Sequence, residues 1–500
     1  MRPGRQRRLV SASLMMAMFL AALEATAVGT AMPTVVADLG GMGQYSWVFS
    51  AYLLASTTTV PTWGKLADLF GRRKVFTIGV ALFLLGAALS GTSTTPGQLI
   101  SFRALQGLGA GAVMPVSVTL MADIYTLQER GRMQGLFSGV WAVSSIIGPA
   151  AGGFITDFLS WRWVFYINIP FGLASVAGLF LFYHEQNDRR KHRLDVLGTV
   201  SLTAAIALLL LALLEGSERW GWLDYRTLAM IALSGSGLLL FLWQEKRAPE
   251  PMLPLGLFSN SVVAVSSMGS LILGTILFCA AAFVPIFTQG VLGGTAIDAG
   301  MTLAPMSIGW PIASTTSGWL LYRFGYRPFA ILGATVGTAG CLLLASANPE
   351  SSSAGVMLAM MFVGIGLGFM STPYLLAVQN AVPRHERGVA TSSVQFFRTI
   401  GGAIAVAALG AVLNVYIANG VSAGVDVNAA LDPAARGQMS PETLGGLVDA
   451  LNSGLTTVYL VMAGMAAIGI LVALVFPKGT MESHAHEEVR SGSGAAIDRS

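Results

Sequence analysis

The chain has 500 residues, 54% of them hydrophobic and 11% charged, with a net charge of +4, and its mean hydropathy is +0.67. An average soluble domain carries about 25% charged residues, so this composition excludes one and specifies an integral membrane protein. Cys279 and Cys341 fall inside apolar runs, without the paired spacing of a metal site or a disulfide framework.

Apolar runs of about 20 residues recur along the chain, each long enough to cross a hydrocarbon layer of about 30 Å as a helix. The short alternating segments of a β-barrel are not seen. Spans are predicted at 12–36, 45–66, 76–94, 98–121, 134–157, 163–183, 196–215, 227–244, 263–287, 299–320, 327–347, 354–380, 391–418 and 455–476. The first follows MRPGRQRR, and its apolar part is too long for a signal peptide, so it is read as a retained helix. Fourteen spans put both termini on one side. Basic residues gather in alternate loops: the N-terminal arm, GKLADLFGRRK, QERGR, DRRKHR, QEKR, YRFGYR, PRHER and the tail. Those loops are expected in the cytoplasm, leaving Arg162, Arg219, Arg226 and Arg436 outside. The positive balance thus reports topology and no nucleic-acid surface.

Trp161 and Trp163, and then Trp220, Trp222 and Tyr225, are expected as anchors at the outer headgroup layer. The longest exterior loop runs 419–454, and within it SPETLGGLVDALNSG offers Ser440 as N-cap and Pro441 at the first helical position. With Leu444, Leu447, Val448 and Leu451 on one face, it predicts a short amphipathic helix on the outer surface. Residues 478–500 read as a disordered cytoplasmic tail.

A repeat relates the two halves. GKLADLFGRRK (64–74) aligns with GWLLYRFGYRP (318–328), and Glu129-Arg130-Gly131 with Glu386-Arg387-Gly388 at nearly the same separation. The fold expected is therefore all-α and polytopic, with a six-helix bundle over 1–190, two inserted helices over 191–255 and a second six-helix bundle over 256–477. Parallel repeats of this kind are an architecture that secondary transporters use for alternating access.

These residues also carry a family resemblance. The chain resembles the major facilitator superfamily, and more narrowly its fourteen-helix drug:proton antiporter branch, often called EmrB/QacA-type. The likeness rests on Gly64, Asp68, Gly71, Arg72 and Arg73 in the loop after the second helix. It continues in LISFRALQGLGAG, with Arg103, Gln106, Gly107 and Gly109, and in IGPAAGG, with Gly148, Pro149, Gly152 and Gly153. LEATAVGTAMP and WRWVFYINIPFG fit as well, and the resemblance spans essentially the whole chain. The acid of the family's first-helix motif is usually aspartate; here it is Glu24.

Glu24 lies twelve residues into its span, about 18 Å of helical rise. A charge at such depth costs at least about 2.5–3.5 kcal/mol by insertion scales, so it is expected to face a cavity and to carry one proton. The rival reading is a structural ion pair with Arg103. By the resemblance Arg103 serves the proton relay, against plain snorkelling, and Gln106, one turn on, offers a hydrogen bond to substrate or relay. Gly148-Pro149 is expected to break the fifth helix, as hinge, seal or packing kink. Asp68 and the basic residues after it read as a cytoplasmic latch in which Asp68 pairs with Arg72, Arg73 or a neighbouring helix N-terminus. Tyr322 replaces this aspartate in the second copy. Arg398, early in its span, is expected to snorkel to the cytoplasmic surface.

The function implied is proton-driven efflux of hydrophobic, often cationic, small molecules, with substrate and membrane lipid as partners and a working monomer in the cytoplasmic membrane. Rival readings are export of a lipid or metabolite, substrate:proton import, and, last, a membrane-embedded enzyme or receptor. No Walker-type loop is found, so the expected energy source is the proton gradient, without metal or cofactor.

Overall fold

The computed structural model describes residues 4–39, 45–183, 195–216, 220–248, 251, 255–383, 386–420, 436 and 439–477, and these contain helices and no strand. The helices are α1 (Arg5–Leu39), α2 (Tyr45–Phe70), α3 (Arg72–Gly91), α4 (Pro96–Ile124), α5 (Leu127–Phe158), α6 (Trp163–Tyr166) and α7 (Asn168–Phe182). There follow α8 (Val196–Glu215), α9 (Tyr225–Glu245), α10 (Ser261–Ile286), α11 (Ala296–Phe324), α12 (Tyr326–Ala345), α13 (Ser353–Ala381), α14 (Arg387–Gly420) and α15 (Pro441–Val475). Each of the fourteen predicted spans falls on a helix, the sixth on α6 and α7 together. Among the described residues, ten helices are long and apolar enough to cross a membrane.

Short polar residues set the helix starts, because a side-chain oxygen can take up an N–H that the first turn leaves free. Thr95 accepts from Gln98 N ahead of Pro96, Asn260 from Val262 N, and Thr295 with Asp298 closes a reciprocal capping box. Prolines inside α2, α4, α10, α11 and α13 do not end those helices. Gly148-Pro149 likewise does not break the fifth helix: α5 is helical throughout from Leu127 to Phe158. A membrane helix tolerates proline because local adjustment and neighbouring groups can satisfy the freed carbonyl.

The chain divides into two compact units. The first takes residues 1–126, 137–259 and 382–396, and the second takes 127–136, 260–381 and 397–500. The start of α5 thus belongs to the second unit and the start of α14 to the first. Helices α8 and α9, predicted as an insertion, lie in the first unit, where α8 packs on α9 and touches α2.

The outer-surface expectations change in two places. Ser440 and Pro441 do start a helix, but it runs unbroken to Val475, and Leu447 and Leu451 are buried in the core of the second unit. The apolar face satisfies itself against protein, where packing is denser than at a lipid surface. Trp163 is exposed as an anchor would be, whereas Trp161 is buried and donates its indole N–H to Asp38 at 2.9 Å. That donation, with Arg162 Nη1 on the same oxygen at 2.9 Å, holds the Asp38 carboxyl below the usual range.

The repeat read in the loops is realised as packing. Gly71 (φ 95°) joins α2 to α3 and Gly325 (φ 80°) joins α11 to α12, both in the left-handed region that favours glycine. In the first unit Gly64 lies against Gly388, so that a Cβ on Gly64 would sit 2.7 Å from the Gly388 carbonyl oxygen. In the second unit the equivalent pair is Gly318 against Gly131, with a Cβ on Gly318 2.5 Å from Gly131 O. Gly318→Ala is therefore expected to lower the thermal midpoint in detergent, by the about 1–3 kcal/mol typical of overpacking. Gly139→Ala, where nothing lies within 4 Å, is expected to leave it unchanged or raise it slightly; equal effects would refute the close-packing argument.

Candidate functional site

Four helices of the first unit bring polar groups together inside an apolar surround. Glu24 on α1 and Arg103 on α4 are each 1% exposed. Arg103 Nη1 donates to Glu24 Oε1 at 2.6 Å and to Gln106 Oε1 at 2.8 Å, while its Nε donates to the Val48 carbonyl at 3.4 Å. The guanidinium lies 4.2 Å from the centre of the Tyr52 ring on α2, within the range in which an aromatic face attracts a cation. The other glutamate oxygen, Oε2, accepts from Asn168 Nδ2 at 2.5 Å.

Glycines make this convergence possible. A Cβ on Gly107 would lie 3.0 Å from Tyr52 Cα, and one on Gly86 2.5 Å from Gln106 Cα. Bare backbone at both positions lets α2 and α3 close on α4, which sets Tyr52 under the guanidinium. The break at Ile167 between α6 and α7 makes Asn168 the first residue of α7. Its Nδ2 also faces the carbonyls of Phe165 at 3.1 Å and Val164 at 3.3 Å, which fix the amide with its nitrogen towards Glu24.

The two groups bonded to Glu24, Arg103 and Asn168, both donate to it. Two buried atoms beside them, Gln106 Nε2 and Asn168 Oδ1, have no hydrogen-bond partner among the described residues. A carboxylate satisfies both donors; a proton on either oxygen takes up a lone pair and removes the charge that strengthens both bonds, so protonation weakens the contact. That is the chemistry the arrangement can perform. Glu24, Arg103 and Gln106 are therefore brought together as the sequence suggests. Asn168 was missed, although a carboxamide two residues before Pro170 in an otherwise apolar run was a visible signal.

The predicted latch residues assemble at the α2–α3 turn. Asp68 Oδ1 accepts from Gly388 N at 3.0 Å and Oδ2 from Val389 N at 2.8 Å, so Asp68 caps the first turn of α14. Arg72 donates to Asp68 Oδ1 at 3.1 Å and also pairs with Asp123 at the end of α4. Arg73 Nη2 donates to the Phe180 carbonyl at 3.0 Å and its guanidinium lies over the Phe180 ring. In the second unit the equivalent turn has no such carboxylate, and Arg130 Nη1 donates to Asn380 Oδ1 at 2.8 Å while Asn380 Nδ2 donates to Tyr326 OH at 2.6 Å. Of the fifth-helix motif, Gly148 and Gly152 are buried, and Gly153 meets nothing within 4 Å.

An unpaired buried charge costs far more than a missing pair. Arg103→Met is expected to destabilise the protein by about 3–5 kcal/mol by stranding Glu24. Adding Glu24→Gln to it is expected to restore most of that loss, read as unfolding midpoints in detergent. Additive losses would show that the two side chains do not act as a pair.

Comparison with known proteins places this geometry. The family model described as Major Facilitator Superfamily matches residues 14–406. The multidrug transporter protein MdtP of Bacillus subtilis is 39% identical over 409 residues, covering 82% of this chain and 76% of the relative. Multidrug resistance protein 3 of the same organism is 32% identical over 484 residues, 94% of each chain. The solved structure of the human organic anion transporter MFSD10 superposes with a TM-score of 0.64 at 13% identity, covering 93% of this chain and 99% of that one, a likeness of fold. The chain belongs to the Major Facilitator Superfamily and is a membrane transporter.

Proposed function

We propose that the protein is a proton-driven exporter of hydrophobic, often cationic, small molecules, working by alternating access as a member of the fourteen-helix antiporter branch. The observation that carries the proton part is the buried carboxylate of Glu24, held by two donors, Arg103 and Asn168. The export part is supported by relatives named for multidrug transport and resistance at 39% and 32% identity.

In this reading Glu24 binds a proton from the outer side and its hold on Arg103 and Asn168 weakens, since a neutral carboxyl is a poorer acceptor than a carboxylate. Release of the proton towards the cytoplasm re-forms the pair. Substrate prefers the deprotonated form, so proton entry and substrate exit alternate. Arg103 is the positioning group: its charge competes with the proton for the same carboxylate. Gln106, holding Arg103 through Oε1 with Nε2 unpartnered, has a donor to offer a bound molecule. Asp68, by capping α14, steadies one conformation at the cytoplasmic end, with both termini on that side of the cytoplasmic membrane. All fourteen helices span the bilayer, and the protein works as a monomer with no cofactor.

Inside-out vesicles carrying a pH gradient supply the test. Adding ethidium is expected to discharge the gradient with the parent protein and not with Glu24→Gln. Equal discharge by both would remove Glu24 from the coupling, and no response from the parent would remove the drug-proton exchange itself.

A further inference from the structure

The second unit holds a cation at helix mid-span with no counter-charge among its described residues. The position of Arg398 in sequence suggested snorkelling, but α14 begins at Arg387, eleven residues before it, which is about 16 Å of rise. Packing within the unit fixes the depth independently. The backbone of Arg398 lies against Gly274 of α10, where an added Cβ would come 2.9 Å from Arg398 Cα. Gly274 is thirteen residues after Ser261, about 20 Å along a helix of 26 residues and hence half-way through it. Arg398 therefore leaves its helix at mid-span, and its side chain is partly exposed there.

The described carboxylates of this unit are all elsewhere. Glu129, Asp298, Glu350, Glu442 and Asp449 are all exposed; the first four lie at helix starts or in a loop, and Asp449 lies about two turns into α15. No hydrogen bond, ion pair or aromatic ring engages the Arg398 side chain among the described residues, whereas Arg103 in the first unit has Glu24 at 2.6 Å. A guanidinium at bilayer depth without an anion is costly, and such groups mark substrate and ion paths. Its planar fork of donors matches a carboxylate in particular.

We propose that Arg398 is a binding site for the anionic group of a transported molecule, so that the substrate range extends to amphipathic carboxylates alongside lipophilic cations. The inference rests on the efflux reading only for the word transported; the binding site stands on the unpaired guanidinium.

The experiment compares two probes with one apolar body, pyrenebutyrate and a pyrenebutyl-trimethylammonium, by fluorescence titration of the purified protein in detergent. Arg398→Gln is expected to weaken pyrenebutyrate binding at least tenfold and to leave the cation's Kd unchanged, while Arg398→Lys keeps pyrenebutyrate binding within a few-fold of the parent. Unchanged pyrenebutyrate binding in Arg398→Gln overturns the proposal, as does a parent that does not bind it. Loss of both probes together assigns Arg398 a structural role and also overturns it. Failure of the vesicle assay with intact, Arg398-dependent pyrenebutyrate binding would instead count against efflux and leave the site standing.

Discussion

The first unit is organised around the cost of burying one carboxylate. Glu24 is out of contact with water in an apolar surround, where a lone charge is stable only if donors replace its hydration. Arg103 and Asn168 provide them from two other helices, and Arg103 is in turn shared with Gln106, the Val48 carbonyl and the Tyr52 ring. α1, α2, α4 and the α6–α7 break are thereby committed to one arrangement. Hydrophobic burial cannot distinguish one apolar helix face from another in lipid, so polar contacts and close backbone packing fix the register.

Glycine supplies the other half of that constraint. Gly86 and Gly107 let α3 and α2 close on α4, which carries Arg103 and Gln106, and Gly64 with Gly388 and Gly131 with Gly318 give close backbone contacts at the repeated turns. The repeat is thus conserved in packing and broken in charge. Asp68 caps α14 in the first unit, while the second, with Tyr322 at the matching position, relies on neutral bonds among Asn380 and Tyr326 and on Arg130. The guanidinium groups at depth show the same asymmetry: Arg103 is paired with Glu24, and Arg398 has no carboxylate partner among the described residues.

Much of the fold was legible because the membrane imposes a simple rule. Twenty apolar residues must become a helix, since backbone groups have no water to bond, and each of the fourteen apolar runs falls on a helix, most boundaries within a few residues. The candidate site was legible as far as rare residues advertise themselves: a glutamate and an arginine in apolar runs are conspicuous, and both lie in the cluster. Asn168 was less conspicuous because a neutral amide in a helix is cheap, and only the neighbouring helices show it bonded to Glu24. Of the partners open to Asp68 in sequence, Arg72 and the start of α14 are the ones seen, while Arg73 donates to a carbonyl and lies over a ring on α7, a choice that like basic residues in one loop do not reveal. Trp161 and the 441–451 segment were assigned to the lipid surface, yet both found protein, for amphipathic character specifies that an apolar face is covered and not by what.

By itself the sequence determined that the chain is helical, membrane-embedded and internally repeated, with one acid deep in its first helix, because length, hydropathy and motif spacing are local properties. Tertiary structure decided the partners: which donors face Glu24, which helix start Asp68 caps, and that Arg398 of α14, level with the middle of α10, has no partner among the described residues. Those are distances between segments up to several hundred residues apart, set by glycine contacts and helix register that no local pattern encodes.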